Sequence, residues 1–150
     1  MLQSAIHFQS VQISEIFTPR SQVQFLKPDE SIREVAKRFE EMKHSRYPIL
    51  GDRGKIEGFA LRADLLEAAA RDNFGAQVIA FKRDVFVVPE TAKVKHALSY
   101  FLKAREHLAV VVDEFGSFAG ILTMEDVLEV LTGLQIVDEL DEVESYRKRD

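Results

Sequence analysis

Hydrophobic and polar positions along this chain follow two periods, and each period occurs twice. Ile32, Val35, Phe39 and Met42 recur every three to four residues behind Ser31-Ile-Arg-Glu34, which predicts one apolar face of a helix opened by a capping box. Short apolar runs at Val23–Leu26 and Tyr47–Leu50 predict strands, and Gly51–Gly54 turns the second of them into a strand over Lys55–Leu61. A helix over Arg62–Arg71 follows, with Leu65, Leu66 and Ala69 facing inward, and Asp72–Gly75 breaks it. The same order then returns: strand Val85–Val88, helix Thr91–Lys103, strand Leu108–Val112, turn Asp113–Gly116, strand Ser117–Leu122 and helix Met124–Leu131, ended by Gly133. Ser14–Arg20 reads as a loop leading into the first strand, because Pro19 holds Thr18 extended. Residues 1–12 are weakly patterned and read as a flanking helix or a frayed end.

The two halves are copies at a fixed offset of 62 positions. Gly54 meets Gly116, Gly58 meets Gly120, Asp64 meets Asp126 and Leu66 meets Leu128, while upstream Ile32 meets Val94 and Phe39 meets Phe101. A period of this length implies two supersecondary units burying their faces against each other. The reading is an α/β (α+β) fold of two tandem repeats, each strand-helix-strand-strand-helix, packed as a pseudo-twofold pair. Residues 1–12 flank the first repeat at 13–75, the second spans 76–135, and 136–150 form a charged tail or linker.

Composition narrows the function classes. At 150 residues the chain fits one compact domain or two small repeats sharing a core. A net charge of −5 and the lack of a basic aromatic face argue against nucleic acid. With no cysteine there is neither a disulfide framework nor thiolate chemistry. No apolar run approaches the ~18 residues a membrane span needs, so the chain itself is expected to be soluble. His7, His44, His96 and His107 lack metal-ligand spacing, and no P-loop, Gly-x-Ser-x-Gly or zinc signature is present, so no enzyme is expected. The tail from Asp138 turns from acidic to basic and reads as solvated.

The candidate chemistry lies in Gly116–Asp126, where a strand runs into a helix start and presents free backbone N–H groups. Thr123-x-x-Asp126 closes such a start as a capping box. Ionised Asp126 is also acceptor-only, which suits the paired hydroxyls of a ribose and repels phosphate. On these four residues alone the cap is the commoner outcome.

The repeat, with Gly-h-x-(Thr/Ser)-x-x-Asp at its last strand-to-helix step, resembles the cystathionine-β-synthase (CBS) domain, which occurs in pairs. More narrowly, Ile16–Arg20, His44–Pro48, Val111–Gly116 and Thr123–Glu129 resemble the CBS pair of the CorC/HlyC family, the magnesium and cobalt efflux or hemolysin-like proteins related to the cyclin M transporters. The likeness covers roughly residues 13–140. It implies a cytoplasmic fragment of an inner-membrane protein whose transmembrane domain lies outside this chain. It also implies regulation by AMP, ADP or ATP, with ATP favoured and magnesium carried on the phosphates.

Carried over residue by residue, the resemblance gives Thr123 and Asp126 to the ribose, and Tyr47 and Pro48 to the adenine slot. Arg46 and Arg20, beside Thr18, are the cations expected near the phosphates, where a guanidinium fork fits phosphate oxygens. Asp64 marks a possible second, weaker site. There Leu61 replaces Thr123, and Leu108-Ala-Val110 replaces Arg46-Tyr-Pro48. If the family's pairing holds, Thr123 and Asp126 meet Arg46 and Tyr47 in one cleft. Leu61 and Asp64 then meet Leu108 and Ala109 in another that offers only a carboxylate. A homodimer through the helices around 62–71 and 124–133 is also implied. The competing expectation is a nucleotide-free dimerisation module whose clefts are filled by side chains.

Overall fold

The computed structural model describes residues 7–133; Met1–Ile6 and the charged tail from Asp138 lie outside the described residues. Its strands are β1 (Thr18–Pro19), β2 (Arg46–Leu50), β3 (Ile56–Leu61), β4 (Phe86–Pro89), β5 (Leu108–Val112) and β6 (Phe118–Thr123). Its principal helices are α1 (Ile32–Ala36), α2 (Arg62–Ala70), α3 (Val94–Ala104) and α4, helical over residues 124–133.

Tyr47–Leu50 and Leu108–Val111 are buried along their whole length, which explains why these runs are continuously apolar and not alternating. β2 pairs antiparallel with β3, and β5 with β6. Both hairpins shift register at equivalent points, between Ile49 and Leu50 and between Val111 and Val112. The outer neighbour of β5 is β4, in parallel, and Leu26 bridges Ile49 in the same parallel sense.

The remaining sheet edge is closed by the other repeat. β1, at the start of the first copy, pairs antiparallel with β6 of the second, and Arg83, at the start of the second, bridges Phe59 of β3. The cores are exchanged in the same way. Val11 and Ile13 pack with Val94, Phe101, Val111 and Val127, whereas Val78 packs with Ile32, Val35, Ile49 and Leu65. A third cluster of Leu50, Val110 and Phe118 joins the two sheets. This crossing accounts for the repeated glycines of the third strand. A Cβ on Gly120 would stand 2.0 Å from the Thr18 carbonyl oxygen, and one on Gly58 2.5 Å from that of Arg83. Neither backbone can yield, so only glycine admits the crossing segment.

Three sequence expectations need correction. Thr18–Pro19 is a strand and not a loop, because its extended backbone meets the free edge of β6. Val23–Leu26 is not a strand beyond the single bridge at Leu26, which donates its N–H to Pro48 O (2.9 Å) and accepts from Leu50 N–H (2.9 Å). The next bond of that ladder would need an N–H on Pro48, which proline lacks; Val110, at the equivalent place, has one, and there the parallel ladder runs four residues. The helix opening at Ser31 stops at Ala36 and continues as a 3₁₀ turn over Phe39–Glu41. Arg38 pairs there with Glu30, and Arg62 Nη2 donates to the Phe39 carbonyl (3.2 Å). The uninterrupted α3 has Tyr100, Ala92 and Met124 at those three places. The predicted apolar set survives the break, since Ile32, Val35 and Met42 are buried together with Phe39 against them.

Candidate functional site

The strand-to-helix step after β6 lies opposite the start of β2, and between them opens a cleft of about 490 Å³. Its walls are Thr18 and Gln22–Gln24 from the lead-in, Lys43–Pro48 from the start of the first hairpin, and His107, Leu108, Ile121, Thr123, Glu125 and Asp126 from the second repeat. The structure thus brings Thr123, Asp126, Arg46, Tyr47, Pro48 and Thr18 together. Arg20 stands outside this lining; it is exposed, with its guanidinium 5.7 Å from the centroid of the Phe118 ring.

At the helix start, Thr123 N–H donates to Asp126 Oδ2 (3.0 Å) and Asp126 N–H donates to Thr123 Oγ1 (3.1 Å). The capping box is therefore formed. It leaves chemistry available: a carboxylate has about four lone-pair positions, of which this cap takes one, and the threonine hydroxyl keeps its proton to donate. The start is tied across the cleft by Met124 N–H donating to His107 O (2.9 Å), as Arg62 N–H donates to Ser45 O (2.8 Å) in the first repeat.

Tyr47 is almost fully buried, at 1% exposure, and its hydroxyl accepts the His44 N–H (2.8 Å). It belongs to the core of the first repeat and gives the cleft a fixed floor, not a freely exposed ring. Pro48 is buried beside it. Lys43 and Arg46 supply positive charge on the first repeat's side, with His44 and His107 nearby, against Glu125 and Asp126 across the cleft. Lys43, Gln22 and Gln24 were not singled out in the sequence, and His107 was considered there only as a metal ligand and set aside. Their one available signal is position, since Lys43 and His107 lie just before β2 and β5 and the two glutamines lie in the lead-in after β1.

A second cleft, of about 520 Å³, lies at the related position and is lined by Arg46, Phe59, Leu61, Lys82, Arg83, Asp84, Arg105 and Glu106. Here the sequence expectation fails twice. Leu61 meets Arg105 and Glu106, because Leu108 turns to the first cleft, and Ala109 lines neither. Nor is a lone carboxylate on offer: Asp64 Oδ2 accepts from Arg83 Nε (3.2 Å) and Nη2 (3.1 Å), and the lining is rich in cations. Arg83 escaped notice because its partner is 19 residues away in another element.

The CBS domain family model matches residues 13–71 and 78–133. The magnesium and cobalt efflux protein CorC of Buchnera aphidicola (strain APS) is 36% identical over 153 residues, covering 99% of this chain and 51% of that protein. That of Escherichia coli K12 is 36% identical over 143 residues, covering 95% and 49%. The chain spans about half the length of the curated relatives it matches. Among solved structures, the CBS domain of a bacterial CNNM/CorC family Mg²⁺ transporter in complex with ATP superposes with a TM-score of 0.82 at 28% identity, over 88% of this chain and 94% of that one. A hemolysin-like CBS protein of Oenococcus oeni PSU superposes with a TM-score of 0.76 at 30% identity, over 87% and 96%.

Proposed function

The chain belongs to the CBS-domain family, and from that premise we propose that it is the adenine-nucleotide-binding regulatory part of a divalent-cation transport protein, with ATP in its first cleft. The observation that carries this reading is the meeting of Thr123 and Asp126 with Arg46, Tyr47 and Pro48 across one cleft. Asp126 and Thr123 receive the ribose hydroxyls on the lone pairs and proton their cap leaves free. The base lies toward Tyr47 and Pro48, and the phosphates toward Lys43 and Arg46, where charge-assisted hydrogen bonds are strongest. Magnesium comes with the phosphates, since it keeps several waters and is seldom caged by protein alone. Arg20, expected near the phosphates, lies outside the lining of this cleft, with its guanidinium 5.7 Å from the centroid of the Phe118 ring.

The relatives named as magnesium and cobalt efflux proteins, and the neighbour solved with ATP, support the substrate class. The ion pathway then belongs to a membrane domain outside this sequence; among the described residues no helix is long and apolar enough to cross a membrane. Nucleotide binding, and not catalysis, is the activity assigned here, and it acts on transport through the attached domain.

Calorimetric titration with ATP, with and without magnesium, tests the reading against that of a nucleotide-free dimerisation module. Saturable binding at one ATP per chain is expected. Absence of heat and of any thermal stabilisation at millimolar ATP in both conditions would leave the dimerisation module standing.

A further inference from the structure

The second cleft differs from the first in charge more than in size. Arg46, Lys82, Arg83 and Arg105 line it with Asp84 and Glu106, and Arg83 is paired with Asp64, which still leaves an excess of positive charge in a concave space. The backbone is fixed at two of these residues. Arg83 exchanges both hydrogen bonds with Phe59, at 2.8 and 2.9 Å, and Arg105 occupies the left-handed C-cap of α3 at φ 56°. The threonine that suits a nucleoside in the first cleft is missing, since Leu61 stands where Thr123 does, and Asp64 lies outside the lining with one carboxylate oxygen held by two N–H groups of Arg83.

We infer that the second cleft binds a small inorganic polyanion of pyrophosphate size and rejects nucleosides. Guanidinium and ammonium donors fit the acceptor oxygens of such an anion, whereas a cationic or donor-only ligand would meet few partners there. This goes beyond the nucleotide reading and does not depend on it, because only Arg46 is common to both clefts.

The test uses the nucleotide-free chain and sodium pyrophosphate, read by calorimetry and by backbone amide shifts. One pyrophosphate per chain is expected, with shifts concentrated at residues 82–84 and 105–106. The double substitution Lys82→Gln/Arg105→Gln should weaken pyrophosphate by at least about tenfold, as expected for loss of charge-assisted bonds, while ATP affinity stays unchanged. Adenosine should leave the amides of 82–84 unmoved. The inference fails if pyrophosphate does not bind, if its shifts fall at 43–48, or if the double variant binds it as the parent does. Should that variant not fold, the wild-type shift map alone decides between the two clefts.

Discussion

Under the proposed function, Asp126 performs two tasks with one carboxylate. Its Oδ2 completes the cap of α4, and its remaining lone pairs face the cleft. Replacing it with Asn separates the tasks, because an amide oxygen still caps the helix while the charge is lost. Asp126→Asn is expected to bind ATP roughly tenfold or more weakly, charge-assisted hydrogen bonds being worth ~1.5–3 kcal/mol, with an unaltered melting temperature. Equal affinity in calorimetry would remove Asp126 from the site. Thr123→Ile should abolish ATP binding and cost about 1 kcal/mol through the cap. Asp64→Ala breaks only a half-exposed pair with Arg83, so it should change stability by no more than ~1 kcal/mol and leave ATP binding intact. At this scale the sequence was informative where partners are near in the chain, as for Thr123 and Asp126. It was silent where they are distant: nothing local to Asp64 announces Arg83, and nothing local to Arg20 announces Phe118.

The elements were legible for a related reason. Buried central strands must be continuous apolar runs, so Tyr47–Leu50 and Leu108–Val111 stood out, and the 62-residue offset confirmed each by its copy. What could not be read was the crossing of lead-in segments, because a two-residue strand such as Thr18–Pro19 acquires its form only from the β6 edge it joins. The repeated glycines carried that information unrecognised. Gly120→Ala should therefore destabilise the chain by at least about 1–3 kcal/mol, since its Cβ would stand 2.0 Å from the Thr18 carbonyl oxygen. Chemical denaturation measures this directly. A variant as stable as the parent would mean that the β1–β6 approach is looser than described. Because Thr18 lines the first cleft, the same variant should also bind ATP more weakly.

At the scale of the molecule, the two repeats make two clefts from one plan, and their residues make those clefts unequal. Leu128, on α4, is 47% exposed, an apolar group suited to a second copy of the chain. A homodimer through α2 and α4 is expected in light scattering, and Leu128→Glu should shift it toward monomer without unfolding. A wild-type monomer at micromolar concentration, with and without ATP, would rule that assembly out. The central claim is that one nucleotide binds per chain, in the cleft of Thr123 and Asp126. A crystal structure of the chain grown with ATP and magnesium tests it most directly. The account predicts nucleotide density with the ribose against Asp126, the base beside Tyr47 and Pro48, and no nucleotide at Asp64; adenosine density beside Asp64, or in both clefts, would contradict it.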